Sequence, residues 1–263
     1  MSQPTVELTT DHPQVATLWL NRPDKHNAFD DAMIVELTQA CERVASNPQL
    51  RVLILASKGR HFSAGADLGW MQRMAGYTYE ENLRDAKALA KLLETLNALP
   101  QATIARVQGA AFGGAVGLVS CCDMAVATAA ARFCLSEVKL GLVPATISPY
   151  VIAAIGPRAA RRYFTTAETF SAERARELGL VSELADEDKL DQTIQQWISA
   201  ILANGPRAVT AAKQLVAQVS GATIDAPLIE RTCELIAGIR VSTEGQEGLQ
   251  AFLQKRRPNW NGK

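Results

Sequence analysis

Apolar and polar residues change rhythm several times along this chain, and each change predicts an element. Val6 and Leu8 alternate with polar neighbours, Asp11-His12-Pro13 breaks the run, and Val15–Leu20 resumes it, which predicts two strands around a turn. Asn21-Arg22-Pro23-Asp24 forces a loop. Asp30 or Asp31 then caps a helix whose Ile34, Leu37, Ala40 and Cys41 share one face and which ends near Asn47-Pro48. Residues 52–56 are a short unbroken apolar run, the pattern of a strand buried on both faces of a parallel sheet. Ser63-Ala64-Gly65-Ala66-Asp67-Leu68 is a small-residue loop that opens a further helix, in which Trp70, Met71 and Met74 either line an apolar pocket or belong to the core. Residues 79–99 have helical spacing, with Leu83, Ala86, Ala90, Leu93 and Leu96 three or four apart.

Residues 103–107 form another strand and run directly into the stretch that organises the chain, from Gln108 to Pro144. It begins with Gly109, Ala110, Ala111, Gly113, Gly114, Ala115 and Gly117, passes through strands at 123–127 and 132–135, and includes Glu137 in apolar surroundings. A helix over about 113–120 would leave its first N–H groups free to donate, with its dipole adding positive potential there. Such donors are what a developing oxyanion requires, and a carboxylate folding back over them would supply an acid or base. The same small residues also suit plain close packing of a helix.

After Pro144 the pattern is helical. Residues 148–155 and 157–165 are separated by Gly156, Ser171 caps 172–178 before Gly179, and 181–183 form a short strand. Leu190–Leu202, Pro206–Val219, 226–238 and 243–255 follow as helices, with Pro206 at a helix start. Alternating strands and helices predict an α/β core over residues 1–200, and residues 201–263 read as a C-terminal helical region with apolar faces suited to self-association.

Composition narrows the function. With 263 residues and 48% hydrophobic content the chain is large enough to bury a substantial core. Lys+Arg and Asp+Glu are both 27, so there is no basic excess for bulk nucleic-acid or membrane-surface binding. The opening MSQPTVELTTDHPQ lacks an apolar leader run, and the five cysteines are an odd number. Both features lead us to expect a cytoplasmic protein with reduced thiols. Cys121-Cys122 lacks the CxxC spacing of a metal or redox site, so no metal is expected.

The segments LNRPDKHNAF, HFSAGADL, QGAAFGGAVGL, SEVKLGLVP and AFLQKRRPNW, in this order, resemble the crotonase (enoyl-CoA hydratase/isomerase) superfamily over essentially the whole chain. The wording around FSAGADLGWM and SEVKLGLVPATISPYV is most similar to bacterial 3-methylglutaconyl-CoA and isohexenylglutaconyl-CoA hydratases. The resemblance implies a crotonase-like spiral of ββα repeats with a C-terminal helical trimerisation region, giving trimers or hexamers. It implies an acyl-CoA substrate and no separate cofactor. The positions matching the oxyanion hole are Ala66 and Gly114. Those matching CoA contacts are Lys25, His26, Ala28, Ala64, Asp67 and Leu68, with Phe252 and Lys255 reaching CoA from a neighbouring region or subunit.

The catalytic carboxylate implied is Glu137. Two-glutamate hydratases carry another carboxylate at the position held here by Gly117. Ser136, Thr146, a backbone carbonyl or the substrate's own carboxylate are open candidates for holding the water in its absence. Arg73, Arg84 and Lys87 are candidates for the distal carboxylate of a glutaconyl group. A Δ3,Δ2-enoyl-CoA isomerase and a non-catalytic acyl-CoA-binding subunit are the competing readings.

Overall fold

The structure, a computed structural model, describes residues 4–261. Strand β1 (Val6–His12) pairs antiparallel with β2 (Val15–Leu20), with an irregularity between Thr9 and His12. The loop after β2 leads to α1 (Asp31–Ala45), and here the carboxylate of Asp30, rather than Asp31, accepts the Met33 N–H as the cap. Next come β3 (Val52–Ser57), α2 (Leu68–Met74), α3 (Tyr79–Asn97), β4 (Ala102–Val107), β5 (Ala110–Phe112) and α4 (Gly114–Ser120). They are followed by β6 (Met124–Thr128), β7 (Arg132–Cys134), a 3-10 turn over Glu137–Leu140, α5 (Ser148–Thr166), β8 (Phe170–Ser171), α6 (Ala172–Glu177) and β9 (Glu183–Ala185). Among the described residues, four α-helices follow, α7 (Leu190–Leu202), α8 (Pro206–Val219), α9 (Ala226–Val241) and α10 (Thr243–Leu253), and then a 3-10 turn over Asn259–Asn261.

Six strands form one sheet in the order β1-β2-β3-β4-β6-β9, parallel except for the first pair. All six residues of β3 are buried, and the side-chain alternation of a strand explains why. Leu53 and Leu55 face a core shared with α1, α3, α4 and α5, whereas Val52, Ile54 and Ala56 face a second core closed by Leu190, Ile194 and Ile198 of α7. A strand covered on both faces has no polar side to display, hence its unbroken apolar run. Arg51, just before β3, is buried and donates to the carbonyls of Ile201, Leu202 and Asn204, satisfying the open C-terminal end of α7. A domain boundary drawn at residue 200 therefore falls inside a helix fastened to the sheet.

The short strands β5, β7 and β8 make a second, three-stranded sheet. All three are two or three residues long, and of them only β7 falls where the sequence predicts a strand. The strand expected at 181–183 lies two residues later, because parallel pairing with β6 begins at Val126↔Glu183. Before that point Val181 is buried in the core and the Ser182 N–H reaches Ala125 O. In α3 the apolar stripe is only half used: Leu92, Leu93 and Leu96 are buried, but Leu83 and Ala86 are exposed. The first half of α3 stands off the core. Gly156 (φ 75°, ψ 159°) breaks α5 as its sequence predicts. No described helix is long and apolar enough to cross a membrane.

Candidate active site

Two chain segments lie side by side and carry the site. The loop after β3 forms a parallel bridge to β5 at Ser63↔Ala111, and the Phe112 N–H donates to Ser63 O. Three residues beyond each bridge partner stand Ala66 and Gly114. Phe29 fastens the first of these segments: it forms a parallel bridge with Ala66, accepts the Asp67 N–H and donates to Gly65 O. Its ring also lies against Gly114. Among the described residues, neither the Ala66 N–H nor the Gly114 N–H has a hydrogen-bond partner. The helix begins at Gly114, with Gly113 in the cap position at φ 55° and ψ −126°, a backbone conformation that L side chains rarely adopt. With seven residues, α4 offers free N–H groups more than a developed macrodipole.

Pairing of β5 with β7 brings the carboxylate to the same place. Phe112 is in register with Cys134, and the Gly113 N–H donates to Cys134 O at 2.8 Å. The chain then turns through Leu135 and Ser136 to Glu137, whose Oε1 lies 3.4 Å from the point where a β-carbon on Gly113 would stand. Glu137 is half-buried, and its Oε2 is sealed from solvent with no hydrogen-bond partner among the described residues. Burial pushes this carboxyl above the usual glutamate range.

The position of a second carboxylate is closed. A β-carbon at Gly117 would overlap Ile147 Cγ2 and stand 2.8 Å from Ile147 Cβ, with Leu93 Cδ2 at 3.5 Å. Ile147 is fully buried, just before α5. Residue 117 is glycine because its neighbour fills the space. Sequence reading missed this partner, since nothing local links positions 117 and 147. Phe29 was missed for the same reason.

The residues expected to bind CoA are partly brought together. The Ala64 N–H donates to His26 O, which holds exposed Ala64 against the Lys25-His26 turn. Ala28 is buried and its carbonyl accepts from Arg22. Asn27, fully buried in the left-handed region at φ 54°, braces this turn by donating to the carbonyls of Lys58 and His61. The His26 and His61 rings meet edge to face, and the Ala110 N–H donates to His61 Nδ1. Burial, together with His26 and Arg60 nearby, holds His61 below the usual imidazole range.

Leu68 is 76% exposed beside this turn. Phe252 and Lys255 are exposed at the end of α10, which packs against α9 and α8 within this chain. Of the cations considered for a distal carboxylate, Arg73 is paired with Asp31, while Arg84 and Lys87 are exposed on the first half of α3. Trp70 belongs to the core, with Met74 packed against it. Among the described residues no group of three His, Cys, Asp or Glu side chains could hold a metal ion.

Asp67 has a structural task besides any contact with CoA. Its Oδ1 accepts the N–H groups of Gly69 and Trp70 as the cap of α2, and its Oδ2 pairs with Arg22 and Lys25. Burial alone would raise this carboxyl, but the Trp70 N–H and the charges of Lys25 and Arg22 hold it below the usual range. Asp67→Ala is expected to cost about 1 kcal/mol of stability through the lost cap, read as a lower urea midpoint. A carboxyl depressed by folding contributes at neutral pH and loses that contribution as pH falls through its folded value. The difference between the variant and the parent should therefore shrink in acid; a difference that grows in acid would contradict the assignment.

A parallel sheet backed by helices, a second small sheet and a helical C-terminal part define a crotonase-fold α/β protein. A solved enoyl-CoA hydratase from Shewanella pealeana ATCC 700345 superposes with a TM-score of 0.95, at 49% identity over 98% of this chain and 96% of its own. The model of the enoyl-CoA hydratase/isomerase family matches residues 10–263. The 2,3-dehydroadipyl-CoA hydratase of Escherichia coli K12 is 32% identical over 95% of this chain and 96% of its own length. The crotonyl-CoA hydratase of Syntrophomonas wolfei is 31% identical over 95% of each chain. The chain belongs to the enoyl-CoA hydratase/isomerase family, and it is an enzyme of the enoyl-CoA hydratase type.

Proposed function

We propose that the protein adds water across the 2,3 double bond of a 3-substituted glutaconyl-CoA, 3-methylglutaconyl-CoA or its isohexenyl counterpart. The observation that carries the reading is Glu137, a half-buried carboxyl with an unpaired oxygen, set beside Gly113 at the residue before a free N–H. The thioester oxygen accepts from the N–H groups of Ala66 and Gly114. These donors favour the enolate-like transition state over the ground state. Glu137 removes a proton from water as the water oxygen bonds to C3 and the π pair moves toward C2. The protonated Glu137 then returns that proton to C2, so both additions occur on one face.

Support for a dicarboxylic acyl chain comes from the relative named for 2,3-dehydroadipyl-CoA, itself a dicarboxylic thioester. Arg84 and Lys87, exposed on α3, are the cations we assign to the distal carboxylate. CoA lies along Lys25, His26, Ala28, Ala64, Asp67 and Leu68. The exposed apolar side chains Val216, Ile229, Ile236, Val241, Phe252 and Leu253 on α8, α9 and α10 suit a homo-trimer or hexamer, in which Phe252 and Lys255 reach a neighbour's CoA.

Mass spectrometry of the protein incubated with 3-methylglutaconyl-CoA, crotonyl-CoA and a 3-enoyl-CoA tests the reading. A product heavier by one water on the glutaconyl substrate is expected. A shifted double bond at unchanged mass on the 3-enoyl substrate would make the protein an isomerase instead. Binding of every thioester without turnover would make it a non-catalytic subunit.

A further inference from the structure

We propose that the Ser136 hydroxyl holds the attacking water against Glu137, an assignment that rests on the hydratase reading above. The first observation is a hydroxyl without local employment. Ser136 occupies the cap position of the 3-10 turn Glu137–Leu140, yet its side chain caps nothing. Its backbone there is helical (φ −88°, ψ −1°), not the extended form in which a serine oxygen turns back onto the first N–H groups, so the hydroxyl is left for other partners. Ser136 is half-buried, and its Oγ makes no cap hydrogen bond.

The second observation is where that oxygen stands. The atoms nearest to a would-be β-carbon on Gly113 are Glu137 Oε1 at 3.4 Å, Glu137 Cδ at 3.9 Å and Ser136 Oγ at 4.0 Å. Two oxygens thus lie near the empty β-carbon position of Gly113, the residue before the free Gly114 N–H. Thr146 contributes none of those nearest atoms. The third observation is that Ile147 fills the space above Gly117, so no acceptor can approach from residue 117.

A water molecule has two hydrogens to place before it attacks. Glu137 Oε1 accepts the one that is removed. Ser136 Oγ, which both donates and accepts, takes the one that stays, and this leaves a lone pair aimed at C3. When the C–O bond has formed, that second hydrogen remains on the new hydroxyl group. The Ser136 hydroxyl ends unchanged, still a hydrogen-bond acceptor. It orients the water while Glu137 carries the proton.

The test compares the parent enzyme with Ser136→Ala and Ser136→Thr on 3-methylglutaconyl-CoA and crotonyl-CoA, following kcat, KM and the pH dependence of kcat/KM. Ser136→Ala is expected to lower kcat about tenfold, the effect of losing one neutral hydrogen bond made in the transition state. KM and the acid limb set by Glu137 should stay in place, and Ser136→Thr should restore most of the rate. Full kcat in Ser136→Ala would overturn the assignment. So would a loss accompanied by a displaced acid limb and a raised KM, because a merely structural serine would act that way. If the parent adds water to neither thioester, the hydratase reading falls, and this assignment falls with it.

Discussion

Changing Glu137 to glutamine is expected to lower kcat for water addition by roughly 10²–10⁴-fold while leaving acyl-CoA binding in place. Glutamine keeps the size and one acceptor oxygen, so the wall beside Gly113 is preserved. It can neither take a proton from water nor return one to C2. The free N–H groups of Ala66 and Gly114 are backbone groups and survive the change, so residual activity over solution is expected from them alone. Stopped-flow loss of the enoyl-thioester absorbance gives kcat, and calorimetric titration with CoA thioester gives the binding constant. Undiminished kcat would remove Glu137 from the chemistry.

The same carboxyl links activity to pH and to stability. On the proposed mechanism Glu137 must be ionised to take a proton from water, and burial raises its pKa. The acid limb of kcat/KM should therefore lie above the usual glutamate range, with activity lost as pH falls through it. Stability moves oppositely. A carboxyl whose folded pKa is raised stabilises the fold while protonated and loses that contribution as pH rises through the folded value. Glutamine has no charge to bury, so Glu137→Gln should be more heat-stable than the parent at neutral pH and equal to it in acid. On the proposed mechanism this cost accompanies basicity, since an easily solvated carboxylate would be a weaker base.

How much of this was legible in the sequence follows from the range of each interaction. The unbroken run of β3, the Asp30 cap and the Gly156 break are local, and they stand where their residues predict. The organising stretch, with its small residues and Glu137, reads in the sequence alone as a candidate oxyanion site. What escaped depends on contacts distant in sequence. Phe29 fastens Ala66 across 37 positions, and Ile147 meets Gly117 across 30. The two-residue shift of β9 depends on where β6 offers a partner, which no property of residues 181–185 encodes. The exposure of Leu83 and Ala86 shows that an apolar stripe reports a face able to be buried, not one that is buried within the same chain.

Gly117 and Ile147 are expected to behave as one unit. On an exposed helix Gly→Ala stabilises, by about 1 kcal/mol in helix propensity. In α4 the sign should reverse. The new methyl would overlap Ile147 Cγ2 and crowd Ile147 Cβ, so Gly117→Ala should cost about 1–3 kcal/mol as an overpacking change. Ile147→Ala alone should cost about 2–5 kcal/mol through the cavity it leaves. Combined, the alanine at 117 enters part of that cavity, and the double variant should be more stable than the sum of the two losses predicts. The difference is a coupling energy measurable from urea midpoints in a double-mutant cycle. Strict additivity, or a stabilising Gly117→Ala, would show that the contact is relieved by a small backbone shift. A large coupling would mean that a second carboxylate cannot be regained at residue 117 by one substitution. Gly117→Glu would need Ile147 reduced first, and the proposed reliance on Glu137 alone would then be built into the packing of α4 against the start of α5.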